Sequence, residues 1–201
     1  MTHPAKAFDW DDLPAMRAFA RRVAFAHVFT STADGAIMVG HAPLRVDEDG
    51  SIRFHLSRGN RITPHLRGAN VLASITDSDF YVSPDWYADT DSVPTWDYIA
   101  VEIEGSARAL GEAELIALLD DLSAEHEARL TPKKPWTRTK MAEGRFAAML
   151  PAICGFAIDA PAWRGTRKLS QNRTAEDRAG VVAALRAAGR LDLATLVETR
   201  P

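Results

Sequence analysis

The chain has 201 residues, of which 46% are hydrophobic, and this size suits one globular domain with a substantial core. Its 24 basic and 27 acidic side chains leave a net charge of −3, which excludes a global field that attracts nucleic acid or anionic membranes. The one cysteine, Cys154, excludes an internal disulfide and a thiol cluster for zinc.

The first half of the chain predicts a helix and then short strands. Asp11 or Asp12 caps a helix that extends to about Val23. Asp34-Gly35 divides two runs of β-forming residues, as in a β-hairpin, and a turn at 47–50 leads into the alternating segment SIRFHLS. After a helical stretch near 60–67, the segments NVLASITD, FYVSP and YIAVEIEGSARAL predict three further strands.

The second half is more helical. Residues 112–129 place leucines on one stripe, another helix ends near Leu150, and ICGFAIDAPAW predicts a last strand. Six to seven mostly antiparallel strands predict an α+β fold built on a small barrel with peripheral helices. We expect residues 1–201 to form a single domain whose C-terminal helices lie at about 174–199.

The N-terminal sequence MTHPAKAFDWDD lacks a basic region followed by an apolar run. The chain also lacks a continuous apolar stretch of about 18 residues, the length that crosses a bilayer. We therefore expect a cytoplasmic protein with no membrane partner.

The segment HLSRGNRITPHL is the best local candidate for an anion site. It follows a strand and offers Arg58 and Arg61, while Gly59 allows close approach of the backbone. Asn60 or Thr63 can cap the helix that follows, where backbone N–H groups attract phosphate. The alternative is a polar turn with exposed arginines.

Aromatic residues concentrate in FYVSPDWYADTDSVPTWDY, at positions 80–98, which holds all three tyrosines and two tryptophans. Such a segment is either a large core element or the wall of a pocket for a flat ligand, and we favour the pocket.

Other polar groups have less specific patterns. His41 and His55 lie on adjacent predicted strands without a third ligand at credible spacing, so we predict no metal site. KLSQN, from Lys168 to Asn172, is either a surface connection or a set of polar contacts to a ring edge. No catalytic motif is present, and a cofactor would have to supply any chemistry.

Seven segments occur here in the order and spacing of a known family: GHAPL, FHLSRGN, YVSPDWY, VPTWDY, PW at 135–136, CGFAI and KLSQNR. From about Phe8 to beyond Arg173 the chain resembles the PaiB-like proteins, the FMN-binding negative transcriptional regulators. The resemblance implies a split β-barrel related to the pyridoxamine-phosphate oxidase and flavin reductase folds. It also implies a homodimer with FMN at the interface.

The cofactor-binding residues expected from the resemblance and from charge are His41, Pro43, Leu44, His55, Ser57, Arg58, Asn60, Arg61, Trp86, Trp96, Tyr98, Lys168, Gln171 and Asn172. Arg61 stands where the family usually has proline, so its contact is inferred from charge alone. Two further positions depart from the family pattern. Asp97 replaces an asparagine, and Glu102 replaces a histidine.

Three functions follow from these observations. The first is an FMN-binding protein acting as a flavin-dependent oxidoreductase. The second is a transcriptional repressor or sensor with flavin as its ligand, for which DNA is a partner by family name only, since no basic recognition helix is evident. The third is a haem protein with His41 or His55 as axial ligand.

Overall fold

The computed structural model describes residues 3–89 and 91–199. Its contacts divide the chain into two compact units. Unit 1 comprises Met1–Asp12, Thr76–Val101 and Arg164–Pro201, and unit 2 comprises Leu13–Ile75 and Glu102–Trp163. Because this division leaves the number of domains open, the single domain expected from the sequence stays a prediction.

The described residues form an α+β fold in which nine strands join in one sheet. The strands are β1 (Asp9–Trp10), β2 (Phe25–Ser31), β3 (Ile37–Val46), β4 (Ile52–Ser57), β5 (Asn70–Val82), β6 (Thr95–Ser106), β7 (Arg108–Ala109), β8 (Ile153–Ile158) and β9 (Ala162–Lys168). Their order across the sheet is β1-β9-β6-β5-β2-β3-β4-β8-β7. The helices are α1 (Leu13–Val23), α2 (Glu112–Ala128), α3 (Arg145–Met149), α4 (Ala175–Ala187) and α5 (Leu191–Glu198).

The predicted hairpins of unit 2 are confirmed. Strands β2 and β3 pair antiparallel from Phe25 opposite Pro43 to Ser31 opposite Ile37, and Gly35 turns the chain between them at φ 85°. Strand β4 pairs with β3 on one side and β8 on the other, and its apolar residues alternate into the core. Strand β4 ends at Ser57, which lies within the predicted anion segment at 55–66.

The strand count was wrong, because the structure has nine strands and not six to seven. The segments NVLASITD and FYVSP, predicted as two strands, form a single strand of 13 residues, β5, in which the chain continues through Ser78 at φ 63°. Strands β1 and β7 have two residues each, too few to show a period. Strand β9 carries three cations and a glycine, so it lacks the hydrophobic pattern of a strand. The helix expected near 60–67 is a single 3-10 turn, Thr63–His65.

Unit 1 contains the short β1–β9 ladder and the last two helices. Asp9 pairs with Thr166 and Trp10 with Gly165. Thr174 caps α4, since its hydroxyl accepts a hydrogen bond from the Asp177 backbone N–H at 3.1 Å. None of the helices within residues 3–89 and 91–199 has the length and apolar character needed to cross a membrane.

Candidate functional site

The loop after β4 is held in shape by its own hydrogen bonds. The Ser57 carbonyl accepts from the Asn60 backbone at 3.0 Å and from the Thr63 hydroxyl at 2.8 Å. The Asn60 side-chain oxygen accepts from the Ile62 backbone at 3.3 Å. Asn60 therefore shapes the turn, and Ser57 contributes through its backbone.

Arg58 is the cation that this loop orients. Its backbone N–H donates to the Ala152 carbonyl at 2.8 Å, and its Nε donates to the Pro151 carbonyl at 2.6 Å. These two bonds fix the backbone and the Nε atom of Arg58. Both terminal nitrogens, Nη1 and Nη2, lack an acceptor in the part of the chain that the structure describes. A guanidinium held in this way can present its two Nη groups to an anion. Arg61 is exposed and does not line the cleft described next.

Arg58 lines a cleft of about 840 Å³ within unit 2. Its walls are largely apolar and include Leu110, Phe146 and Phe156, and Arg67 and Arg138 also line it. The charge of Arg138 is paired with Asp120 at 2.9 Å, whereas Arg67 has no ion-pair partner among the described residues. One carboxylate, Glu112, lines the same cleft. The cleft combines apolar walls with two uncompensated arginines, which suits an amphipathic anion.

His55 lies on β4 opposite Gly155 and is half-buried. Its Nδ1 is buried without a hydrogen-bond partner, and desolvation by burial lowers the pKa of the imidazole. Burial therefore favours the neutral form of the ring. In residues 3–89 and 91–199 the His, Cys, Asp and Glu side chains form no group of three or more that could hold a metal ion.

The GHAPL segment forms the middle of β3. His41 lies opposite His27, and their Nδ1 atoms are 2.8 Å apart, a distance at which one ring donates and the other accepts. Pro43 pairs with Phe25, and Leu44 is a core residue with 1% of its surface exposed. Because the Leu44 N–H also donates to a carbonyl within unit 2, neither its side chain nor its amide is free for a ligand.

In unit 1 the structure places Lys168 beside a buried carboxylate. Lys168 Nζ lies 3.7 Å from Oδ1 of Asp97, which is 1% exposed, and it also donates to Thr95 Oγ1 and to the Trp96 carbonyl. The Ser170 hydroxyl donates to Asp97 Oδ2 at 2.6 Å. Burial raises the pKa of Asp97, and the Ser170 bond and the Lys168 charge oppose that rise.

Sequence reasoning singled out Asp97 as a departure from the family but did not pair it with Lys168. The two residues are 71 positions apart in the sequence, and Ser170 was not singled out within KLSQN. The signal that could have found the pair was a lone acid in an aromatic, strand-forming segment, because such an acid requires a partner when buried.

The other polar residues of KLSQN have separate positions. The Gln171 amide accepts from the Leu169 backbone at 2.7 Å and donates to the carbonyls of Ala7 and Arg167. These bonds give Gln171 a structural role in unit 1. Asn172 is exposed. Flavin contacts by these two residues stay predictions.

The aromatic segment is divided between surface and core. Trp96 is 56% exposed and meets Tyr81 edge to face with ring centroids 6.2 Å apart. Tyr98 and Trp86 are half-buried, and Tyr87 is buried beneath the Arg173 guanidinium, 4.3 Å from the ring centroid. Trp96 with Tyr81 forms an exposed aromatic surface, and its contact with flavin stays a prediction.

Comparison with known sequences gives the family. Residues 2–161 match the family described as "Putative FMN-binding domain". The chain belongs to this FMN-binding family. It is also 30% identical over 174 residues to the "Protease synthase and sporulation protein PAI 2" of Bacillus subtilis (strain 168), covering 83% of this chain and 81% of that protein. The predicted family resemblance and the predicted cofactor, FMN, are confirmed.

Solved structures share the fold at low sequence identity. The FAD and heme binding protein of Mycobacterium smegmatis matches with a TM-score of 0.59 and 16% identity, covering 80% of this chain and 73% of that one. The flavocytochrome Anf3 of Azotobacter vinelandii matches with a TM-score of 0.61 and 16% identity, covering 83% and 73%. The conserved hypothetical protein Rv2991 of Mycobacterium tuberculosis matches with a TM-score of 0.55 and 17% identity, covering 82% and 90%.

Proposed function

We propose that the protein holds FMN with its phosphate at Arg58 and that it acts as a flavin-dependent oxidoreductase. The observation that carries the proposal is the pair of uncompensated arginines, Arg58 and Arg67, on the apolar cleft of unit 2. FMN carries a phosphate dianion at one end and a flat ring at the other, so it requires cations beside an apolar surface.

The residues of unit 2 fit such a ligand. Arg58 is fixed by Pro151 and can give two N–H groups to one phosphate, and Arg67 adds a second positive charge. Phe146 and Phe156 supply flat apolar surface in the same cleft, whose volume lies within the range of known cofactor sites. When bound, FMN supplies hydride and one-electron transfer, and the protein contributes binding, orientation and electrostatics.

The experiment is a titration of the flavin-free protein with FMN and with riboflavin, followed by the change in flavin fluorescence. Tight binding of FMN and much weaker binding of riboflavin would support a phosphate site. Equal affinities would contradict it. A purified protein with flavin absorption bands that are bleached by a nicotinamide donor would support the oxidoreductase function.

We also infer that the sheet is a split β-barrel and that the protein is a homodimer. In unit 2 the β2–β3 hairpin exposes Phe25 at 48% and Ile37 at 78%, and apolar surface of this kind marks interfaces. Light scattering at micromolar concentration should give twice the 22.0 kDa chain mass. A mass of one chain would contradict the dimer.

A regulatory function is the second candidate, favoured by the relative whose name refers to protease synthase and sporulation. In this case FMN is a sensed ligand, and DNA is the partner to test. The net charge of −3 counts against strong nonspecific DNA binding. Retention of promoter DNA that depends on the flavin would favour the regulator, whereas turnover of a reduced donor would favour the enzyme.

The haem alternative makes a different spectroscopic prediction. Burial favours the neutral form of the His55 imidazole, which is the form that binds haem iron as an axial ligand. A Soret band in the purified protein would support haem, and flavin bands alone would exclude it.

A further inference from the structure

A small pocket in unit 1 is lined partly by residues that follow the range of the FMN-binding family match. Its volume is about 170 Å³, and Arg167 and Leu169, which line it, follow residue 161, where the match ends. Trp10, Leu196 and Val197 supply further apolar wall. The pocket therefore joins one guanidinium to an apolar surface.

Arg167 is a cation without a countercharge. Its Nε is buried and has no hydrogen-bond partner, and no carboxylate lies within 4.0 Å of its guanidinium in residues 3–89 and 91–199. The guanidinium carbon lies 5.6 Å from the centroid of the Trp10 ring. Desolvation lowers the pKa of Arg167, which means that the protein leaves this charge incompletely stabilised.

Asp9 also lines the pocket but does not neutralise Arg167. Asp9 pairs with Thr166 in the β1–β9 ladder. Successive side chains of a strand point to opposite faces. The Asp9 side chain therefore lies on the same face of the ladder as that of Thr166, and the Arg167 side chain lies on the opposite face. Both residues line the pocket, but their charged groups form no ion pair within 4.0 Å among the described residues.

The pocket is built before any ligand arrives. The Gln171 amide donates to the Ala7 carbonyl at 3.0 Å and accepts from the Leu169 backbone at 2.7 Å, and it also donates to the Arg167 carbonyl. The bond to Ala7 joins the end of β9 to the N-terminal segment of unit 1, and the other two bonds fix the turn after β9. A preformed pocket lowers the ordering cost of binding.

We propose that this pocket binds a short-chain aliphatic monocarboxylate. The carboxylate would accept hydrogen bonds from Arg167, and the chain would cover Leu169, Leu196 and Val197. The volume of 170 Å³ is about the volume that six water molecules occupy in the liquid. This volume limits the ligand to about six to eight non-hydrogen atoms. Inorganic phosphate is disfavoured, since its other oxygens would lose water against apolar walls.

The test is calorimetric titration of the full chain with sodium butyrate at constant ionic strength. Butyrate should bind saturably with one site per chain, and butyramide, which has the same shape without the charge, should bind at least tenfold more weakly. Arg167→Gln should weaken butyrate at least tenfold, whereas Arg190→Gln, which removes an exposed arginine of unit 1, should leave its affinity unchanged. Equal affinity in wild type and Arg167→Gln, or no saturable binding, would overturn the proposal.

A second variant keeps the test decisive if Arg167→Gln does not fold. Leu196→Phe retains the cation and reduces the space beside it. It should abolish butyrate binding and retain acetate, which has a shorter chain. Unchanged butyrate affinity in Leu196→Phe would show that the chain does not occupy this pocket. None of these readouts involves FMN.

Discussion

Lys168 and Asp97 form an ion pair in unit 1, with Nζ 3.7 Å from Oδ1, where the aspartate side chain is 1% exposed and the lysine 13%. Asp97 belongs to the aromatic segment and Lys168 ends β9, so the pair fixes two parts of the chain that are distant in sequence. Buried pairs of this kind cost much of their attraction in desolvation, and removal of one partner is the costly change.

We expect Lys168→Met to lower the free energy of unfolding at pH 7 by about 3 kcal/mol, because it leaves the buried Asp97 carboxyl without the Lys168 charge. In the Asp97→Asn background the same change should cost less than about 1 kcal/mol, because no buried anion remains. Urea denaturation of the four proteins measures both values. Additive effects would contradict the pair.

Asp97→Asn should remove the dependence of stability on pH that the Asp97 carboxyl causes. The pKa of Asp97 is raised in the folded state, so its protonated form is favoured there. Stability from this group is present below its unfolded pKa of 3.8 and is lost as pH rises through the folded pKa. The asparagine variant should lack this decline when unfolding is followed from pH 4 to pH 8. A steeper decline in the variant would contradict the raised pKa.

Arg58→Ala should weaken FMN by about 2 kcal/mol, or roughly 30-fold, because a charge-assisted pair of hydrogen bonds to phosphate is lost. Riboflavin, which has no phosphate, should bind both proteins alike. Arg145→Ala is the control, since it removes an exposed arginine of α3 that does not line the cleft. Equal losses for FMN and riboflavin would exclude Arg58 from phosphate binding.

His55 should make the protein less stable in acid. Burial holds its folded pKa below 6.5, so the unfolded chain binds the proton more tightly, and stability is full above 6.5 and is lost as pH falls below it. His55→Phe and His55→Asn should both flatten this part of the stability profile, because neither side chain titrates. Urea midpoints at pH 5.0, 6.0 and 7.5 measure the effect, and a profile as steep as wild type would contradict it.

Gly180→Ala should destabilise unit 1 although alanine normally favours a helix by about 1 kcal/mol. A Cβ at residue 180 of α4 would lie 1.9 Å from the Trp86 carbonyl oxygen, which is backbone and cannot rotate away. Gly59→Ala is the control, because its Cβ would meet nothing nearer than Ser57 Oγ at 3.9 Å. Thermal melting should show a lower Tm for the first variant only.

The sequence by itself determined the local elements of this protein and its family. Asp34-Gly35 specifies a turn, the leucine stripe from Leu115 specifies the buried face of α2, and Thr174 specifies the start of α4. These signals depend on neighbours a few residues apart. The GHAPL, VPTWDY and KLSQNR segments were sufficient to identify the family, which the comparison confirmed.

Only the tertiary structure decided which charges are compensated. Lys168 pairs with the buried Asp97, and Arg138 pairs with Asp120. Arg58, Arg67 and Arg167 form no ion pair among the described residues. In the sequence no local pattern distinguishes the paired cations from the unpaired ones. The difference arises from packing between segments tens of residues apart, because burial and countercharge at each guanidinium depend on which distant chain covers it.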